Sequence, residues 1–464
     1  MKTAKAGIRR LMNDSKMRGH TMARNMTSGS ITKHLMGYSI PMILGNLFQL
    51  TYNAVDSIIV GKFCGENALA AVGTANPIMN IIIFLIIGIC MGSSVLMSEY
   101  YGANKVSRLK KELAATMILG GVITFIITII CVVFTESILL LIKTPKEILQ
   151  ESADYLRIIF VGLIFTLFYN VYAYGLRSTG DSKTPIYFLV LSAVLNGVLD
   201  LIMVGGLGLG VKGAAYSTII AEAVSTVLCF IYIYRKVPML KLSKYDFRPD
   251  KYMIINTLKY SWFTSMQQVA LYVGKVMVQV AVNPLGVESI ASFNAVNRVD
   301  DFAFTPQQSI GNGITTFTSQ NRGAQKEDRI KKGFLTGLKL EITYWFILLI
   351  IVFAGAKFIM GFFVPDKTSD MISIGEDYLR TMAFFYLLPA LTNGIQGYFR
   401  GMGKLNVTLM ATVVQMIFRV ILSFIFAPML GITGIAYACF GGWVAMLIYE
   451  VPVYLKLRKA YRKE

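Results

Sequence analysis

Two groups of polar side chains lie inside otherwise apolar stretches of the sequence and could bind a cation or a proton. In the first stretch, four of them follow one another at spacings of three, four and three residues: Asn46, Gln49, Asn53 and Asp56. That spacing places all four on one face of an α-helix. In the fifth stretch, Asn196 and Asp200 share a face in the same way, because they are four residues apart.

An acid inside an apolar stretch is costly, by about 2.5–3.5 kcal/mol on insertion scales, and therefore indicates function. Asp56 and Asp200 could share a proton, or could surround Na⁺ with oxygen ligands together with neighbouring amides and hydroxyls. The fourth and sixth stretches add further oxygen donors: Asn170, Thr218 and Glu222. The alternative is that the acids only tie helices together, and for Glu222 that a basic group is its partner.

Basic residues occupy the apolar stretches of the second half of the chain. Arg298 precedes Asp300 and Asp301, which predicts a local ion pair. Lys275 and Arg419 have no such neighbour, so they could line a cavity, repel cations or contact an anionic substrate.

The elements that must position these residues are membrane-spanning helices. The chain of 464 residues is 55% hydrophobic and only 15% charged, whereas a soluble domain carries about 25% charged residues. Apolar stretches near the ~20 residues needed to cross a bilayer recur throughout. We therefore predict an all-α polytopic membrane protein with twelve transmembrane helices, at 37–60, 70–98, 113–135, 152–175, 184–205, 212–234, 253–282, 289–317, 333–356, 377–399, 405–428 and 432–455.

The sequence repeats itself after about 221 residues. The residues Gly92, Gly102 and Lys105 return as Gly313, Gly323 and Lys326, and the segment 154–157 returns as 377–380. Each copy holds six predicted spans, so both have the same orientation and a pseudo-two-fold axis runs along the membrane normal. The predicted organisation is a basic tail, an N-lobe, a linker, a C-lobe and a second basic tail, at 1–34, 35–235, 236–252, 253–457 and 458–464. The segment 136–142 is too short to span and is expected to lie along the membrane interface.

The positive charge is distributed as in an inner-membrane protein. The net charge is +19, and 32 Lys and Arg lie in the two tails and alternate loops, against six in the opposite loops. This asymmetry predicts that both termini are cytoplasmic. The basic excess is expected to face the lipid bilayer rather than a nucleic acid.

Several motifs in order resemble the multidrug and toxic compound extrusion family. They are the segments 38–41, 53–56, 60–61 and 68–73, followed by Gly102-Ala103, by 177–181 and by Asn196 with Asp200. The resemblance covers about residues 35–455. It implies a secondary active transporter, not an enzyme, that exports cationic or amphipathic drug-like small molecules in exchange for H⁺ or Na⁺. It implies no cofactor beyond that coupling ion, and the chain is expected to be a monomer.

The resemblance also implies roles for particular residues. In the branch with an ion site in the N-lobe, the ion-coupling residues match Asp56, Asn196, Asp200 and Thr218, with Asn170 and Tyr155 nearby. If the ion is Na⁺, its expected ligands are Asp56, Asn196 and Asp200. The expected substrate cavity contains Gln49, Asn53, Gln267, Gln268, Lys275 and Arg419. An alternative function is a flippase for lipid-linked saccharides or other amphipathic lipids, which basic cavity residues would suit.

The repeat predicts that the coupling chemistry is not duplicated. Asn196 has Arg419 as its counterpart, and Asp200 has Ser423. Asp56 has Met277. The acids Asp56 and Asp200 are thus confined to the first copy, so we expect ion coupling there and assign the second copy chiefly to the substrate and to gating.

Overall fold

The computed structural model describes residues 23–363 and 370–460. Inside the helices, only the backbone is described at 52–58, 60, 64, 66, 287, 362–363, 370 and 460. The side chains of Asn53 and Asp56 therefore lie outside the described part of the structure. All regular secondary structure of the described residues is helical.

Residues 23–236 form six α-helices. They are α1 Ile31–Gly102, α2 Val106–Val133, α3 Thr135–Leu141, α4 Lys146–Ser178, α5 Lys183–Asp200 and α6 Gly210–Lys236. A π-helical turn, Leu201–Gly206, continues α5 directly. The short α3 coincides with the segment that was predicted not to span.

The second half repeats this pattern. Its helices are α7 Lys251–Val282, α8 Val287–Gly323, α9 Glu327–Phe363, α10 Asp370–Phe385, α11 Leu387–Gly401 and α12 Leu405–Ala460. A 3₁₀ turn, Asn283–Leu285, separates α7 from α8.

Glycines with positive φ divide the two longest helices into membrane-length parts. Gly65 breaks α1 with a φ of 84°, and Gly431 breaks α12 with a φ of 61°. Their counterparts in the other copy behave alike, since Gly286 has a φ of 93° and Gly210 one of 58°. Only glycine adopts such angles without strain, which explains why the turn is glycine in both copies. When the short α3 is left out and α10 and α11 are counted as one span, the described residues of each half provide six spans, and the predicted twelve-helix organisation is confirmed.

Seven helical segments of the described residues are apolar and long enough to cross a bilayer, and one of them, Leu405–Lys459, has 55 residues. Helices α7 and α8 are not among these seven segments, because they carry more polar side chains. Many of these polar side chains are buried inside the protein. Gln267 and Gln307, for example, are 3% and 0% exposed. Such residues find hydrogen-bond partners within the protein rather than facing lipid.

Two predicted spans differ from the structure. The span predicted as continuous over 377–399 is broken at Tyr386, where α10 ends and α11 begins. Pro389 lies in the first turn of α11. Proline has no N–H group to donate to the preceding turn, and its ring clashes with the carbonyl group there, so α10 ends and a new helix begins. The span predicted over 184–205 ends in the π-helical turn instead of an α-helix.

The described chain falls into two compact units. The first contains the residues up to Gly29, Thr51–Ser261 and Gln320–Lys326, and the second contains Ser30–Leu50, Trp262–Ser319 and the residues from Glu327 onward. Each unit has its own apolar core. Phe160 and Leu167 are fully buried in the first, and Phe293 and Met382 are buried in the second.

Within the first unit, the ends of α1 and α8 cross with their backbones in contact. A Cβ atom on Gly102 would lie 1.9 Å from the carbonyl oxygen of Gln320, and one on Gly323 would lie 2.0 Å from that of Glu99. The two pairs are repeat counterparts, so the crossing is symmetric at the level of the sequence. Arg322 also forms an ion pair with Glu99.

The segment before α1 is bound to this crossing. The Met26 N–H donates to Gln320 Oε1 at 2.9 Å, and Gln320 Nε2 donates to the Ser178 carbonyl at 2.9 Å. Lys326 Nζ donates to the Thr27 carbonyl at 2.8 Å, and Arg24 N–H donates to the Thr179 carbonyl at 2.9 Å. Met26 is fully buried as a result.

Candidate functional site

The predicted pair on α5 is present and buried in the first unit. Asn196 Nδ2 donates to Asp200 Oδ2 at 3.0 Å. The two residues are 5% and 0% exposed. The helical spacing of four places them in contact, and the amide holds one oxygen of the carboxyl group in position.

The backbone changes form directly beyond Asp200. The α-helix ends at Asp200, and the π-helical turn Leu201–Gly206 follows. A π-turn widens the helix, and such turns occur frequently at functional sites. The carboxyl group therefore lies where the regular backbone pattern of this span is interrupted.

A second carboxyl group in the same unit is bound by a hydroxyl group. Thr166 Oγ1 donates to Glu222 Oε2, which joins α4 to α6. Asn170, one turn further along α4, donates to the Thr166 carbonyl at 2.8 Å. Asn393, its repeat counterpart, makes the same bond to the Pro389 carbonyl at 2.8 Å. This shared bond supports a structural role for Asn170, whereas its predicted coupling role stays a prediction.

Thr218 and Tyr155 are the remaining predicted coupling residues of the first unit. Thr218 Oγ1 donates to the Ala214 carbonyl of its own helix at 3.0 Å. Tyr155 is 6% exposed and belongs to the apolar core of the unit. The structure thus brings Asn196 and Asp200 together, whereas the predicted coupling roles of Thr218 and Tyr155 stay predictions.

The polar stripe of α1 is described only in part. Asn46, in the second unit, donates to Ser309 Oγ at 3.3 Å, and Gln49 is exposed. Asn53 and Asp56 lie outside the described side chains, so the expected Na⁺ set of Asp56, Asn196 and Asp200 stays a prediction. Among the described side chains, no cluster of three His, Cys, Asp or Glu residues could hold a metal ion.

The second unit contains a buried acid that is bound by two tyrosines. Asp300 on α8 accepts hydrogen bonds from Tyr378 at 2.8 Å and from Tyr386 at 2.6 Å. Both tyrosines are fully buried, and Asp300 is 4% exposed. Tyr386 is the residue at which α10 and α11 separate, so the acid also holds this break in place. Arg419 is a further charged neighbour.

The neighbouring acid is exposed and pairs with a different residue. Lys275 Nζ is 2.9 Å from Asp301 Oδ1, and the two side chains are 47% and 43% exposed. The structure therefore gives Asp300 and Asp301 other partners than the predicted local pair with Arg298. Arg419 and Gln268 are partly buried, and both, like Lys275, stay predictions as cavity residues.

We expect Asp300→Ala to lower the stability of the protein strongly. The change leaves two buried tyrosine hydroxyl groups without an acceptor, and each such loss costs about 1–3 kcal/mol. Asp301→Ala is the matched control, because an exposed ion pair contributes only about 0–1 kcal/mol. Thermal unfolding in detergent measures both, and equal unfolding temperatures for the two variants would contradict the structural role of Asp300.

Three further buried acids were missed in the sequence. Glu112, Glu341 and Glu450 are all fully buried. Thr257 Oγ1 donates to Glu112 Oε1 at 2.8 Å, while both carboxyl oxygens of Glu341 have no hydrogen-bond partner. Glu341 and Glu450 could have been found in the sequence, because each is an acid inside a predicted membrane span.

Ion coupling in the first copy stays a prediction, but the second copy is not free of buried acids. Asp300, Glu341 and Glu450 are buried acids of the second copy. Comparing repeat counterparts shows only whether Asp56 and Asp200 are duplicated. It does not detect acids that arose at unrelated positions.

Gln267, whose place in a substrate cavity stays a prediction, lies in a buried polar cluster of the second unit. Its amide nitrogen donates to Gln396 Oε1 at 2.9 Å and to Thr412 Oγ1 at 3.0 Å. The cluster leads to Glu450, to which Gln396 donates.

These helices and repeats define an all-helical, multi-pass membrane protein, and the family that it matches consists of transporters rather than enzymes. The MatE family model matches residues 41–202 and, a second time, residues 264–425. The chain belongs to this family, whose members are ion-coupled antiporters. The two matches correspond to the two copies of the sequence repeat.

Known proteins resemble the chain over most of its length. "Probable multidrug resistance protein YoeA" of Bacillus subtilis (strain 168) is 29% identical, over 77% of this chain and 79% of its own length. "Multidrug export protein MepA" of Staphylococcus saprophyticus is 25% identical, over 88% of this chain and 90% of its own. A solved structure described as the outward-facing conformation of a multidrug resistance MATE family transporter has a TM-score of 0.88 at 23% identity, and it covers 96% of this chain and 100% of its own. This last likeness supports the fold.

Proposed function

We propose that the protein is a secondary active multidrug exporter of the cell membrane. It exchanges cationic or amphipathic small molecules for H⁺ or Na⁺ by alternating access, acts as a monomer and has both termini in the cytoplasm. The observation that carries the proposal is the buried Asn196–Asp200 pair within a chain of the MatE family. The multidrug relatives support the drug-like substrate class, and the distribution of Lys and Arg supports the orientation.

The proposed coupling begins with loading of the acid. A proton or Na⁺ enters from the outside and binds at Asp200, with Asp56 as its proposed partner and Asn196 as the amide that orients the carboxyl group. A charge that moves inward gains about 2.3 kcal/mol per 100 mV of membrane potential. Binding of the drug competes with the loaded ion, so that release of the ion to the inside and export of the drug alternate.

Reconstituted vesicles test the proposal. The protein is inserted into liposomes, and ethidium movement is followed while a Na⁺ gradient or a proton gradient is imposed separately. We expect one of the gradients to drive ethidium transport above protein-free liposomes, because antiport needs an opposing ion flux. An ionophore that collapses the effective gradient should abolish the transport.

A fluorescent lipid-linked saccharide in the same vesicles tests the alternative flippase function. Movement of the lipid without gradient-driven ethidium transport would overturn the proposed drug export. Asp301, which pairs with Lys275, lowers the net positive charge that this lysine would offer an anionic head group.

A further inference from the structure

A buried chain of polar side chains crosses the second unit far from the α5 pair in sequence. It contains Gln267 on α7, Gln396 on α11, and Thr412 and Glu450 on the two parts of α12. Their exposed fractions are 3%, 4%, 1% and 0%. Nothing in the proposed coupling at Asp200 uses these residues.

The hydrogen bonds of this chain run in one direction. Gln267 Nε2 donates to Gln396 Oε1 at 2.9 Å, and Gln396 Nε2 in turn donates to Glu450 Oε1. Thr412 also accepts from Gln267 Nε2, at 3.0 Å, and donates to the Thr408 carbonyl at 2.9 Å. In this direction both amides present their N–H groups toward Glu450, as an ionised carboxylate requires.

The surroundings of Glu450 are poorly suited to a permanent charge. Glu450 Oε2 has no hydrogen-bond partner, and neither has Gln267 Oε1 at the other end of the chain. Arg400, on the same helix as Gln396 and 8% exposed, is a charged neighbour of Glu450, and its positive charge favours the ionised carboxyl group while burial opposes it. Burying an ionised carboxyl group without several donors costs much more free energy than burying a neutral acid.

The two amides can accommodate a neutral acid without any movement of the backbone. A glutamine amide carries an acceptor on one side and donors on the other, and turning it over exchanges them. After both amides turn, Gln396 Oε1 accepts from the Glu450 O–H group, and Gln396 Nε2 donates to Gln267 Oε1. The same heavy-atom positions thus fit both protonation states of Glu450. The reversal gives up the 3.5 Å bond from Gln396 Nε2 to the Thr408 carbonyl, and Thr412 no longer accepts from Gln267.

We propose that Glu450 is a reversible proton-binding site, and that the hydrogen-bond direction of Gln396 and Gln267 reverses when the proton binds or leaves. The proton comes from water, the O–H bond forms at the carboxyl group of Glu450, and the proton returns to water on release. Because this row of polar side chains joins α7, α11 and both parts of α12, its reversal changes the hydrogen bonds between these helices. The proton site does not depend on the proposed function, whereas a use of this proton in drug export does.

Infrared spectroscopy of the purified protein tests the site independently of transport. A protonated carboxylic acid has a C=O stretching band that a carboxylate lacks. We expect Glu450 to contribute a component of this band in the wild-type protein at neutral pH. Glu450→Gln should remove that component, while its amide still accepts from Gln396 and preserves the packing. The same component should also disappear from the wild-type protein at alkaline pH, where the proton leaves.

The same spectra test the amide chain. Gln396→Met keeps the volume but removes the hydrogen bonds, so the Glu450 band should persist and move to higher frequency. Gln396→Asn shortens the amide by one methylene and serves if the methionine variant does not fold. Glu341→Gln is the matched control, because Glu341 is equally buried but has no amide partner, and its band should be unaffected by either change at Gln396.

Two results would overturn the proposal. If Glu450→Gln removes no carboxylic-acid band at any pH at which the protein stays folded, Glu450 is permanently ionised. If the Glu450 band is the same with and without Gln396, the amides do not take part in proton binding.

Discussion

Asp200→Asn is expected to abolish the drug efflux that an ion gradient drives. Asparagine has nearly the same size as aspartate and can still contact Asn196, but it cannot be ionised and therefore cannot exchange a proton or a cation. Ethidium efflux from vesicles should fall to the level of protein-free vesicles under both Na⁺ and proton gradients. The unfolding temperature should stay close to that of the wild-type protein, because the side chain remains buried and hydrogen-bonded.

Asp154→Asn provides the control for this experiment. Asp154 lies in the same unit, but its side chain is 21% exposed and pairs with Lys212 at 3.1 Å. Removing such a surface charge changes little. Unchanged gradient-driven efflux in Asp200→Asn, or an equal loss in both variants, would contradict the role of Asp200.

Gly323→Ala is expected to have the largest effect on folding. Its new Cβ atom would lie 2.0 Å from the carbonyl oxygen of Glu99, a backbone atom that no change of rotamer can move away. Overpacking of this kind costs about 1–3 kcal/mol, and more where the backbone cannot shift. We expect loss of monodisperse protein in size-exclusion chromatography and a clearly lower unfolding temperature.

The repeat supplies a second variant, and α2 supplies a control. Gly102→Ala should behave like Gly323→Ala, since its Cβ atom would lie 1.9 Å from the carbonyl oxygen of Gln320. Gly121→Ala, inside α2, has nothing within 4 Å of the new atom and should be neutral or slightly stabilising. Normal folding of Gly102→Ala and Gly323→Ala would show that the two helix ends do not cross as closely as the structure describes.

Most of the helical framework could be predicted because apolar length and internal repetition are properties of the local sequence. The short helix α3 and the two copies of six spans are examples. The break at Tyr386 was not predicted, because the apolar pattern continues through it. It is held by a hydrogen bond to Asp300, a residue 86 positions away in the chain.

In the candidate site too, contacts within one helix could be predicted from the sequence, whereas contacts between helices could not. Asn196 and Asp200 could be recognised from their spacing alone, since four residues are one helical turn. The hydrogen-bond partner of Glu450 could not be recognised from the sequence, because Gln396 lies 54 residues away on another helix. Glu341 and Glu450 were visible as acids inside spans, but comparison of repeat counterparts drew attention only to positions that match Asp56 and Asp200.

The amino-acid sequence was sufficient to establish the membrane class, the two-copy architecture and the contact on α5, because periodicity and composition act over one helix at a time. The tertiary structure was needed to show that the second copy also buries acids and that each has a different environment. Asp300 is held by two tyrosines, Glu450 by an amide, and Glu341 by no hydrogen bond. These differences arise from packing between helices that are remote in sequence, and burial and hydrogen-bond partners decide whether an acid can carry a charge.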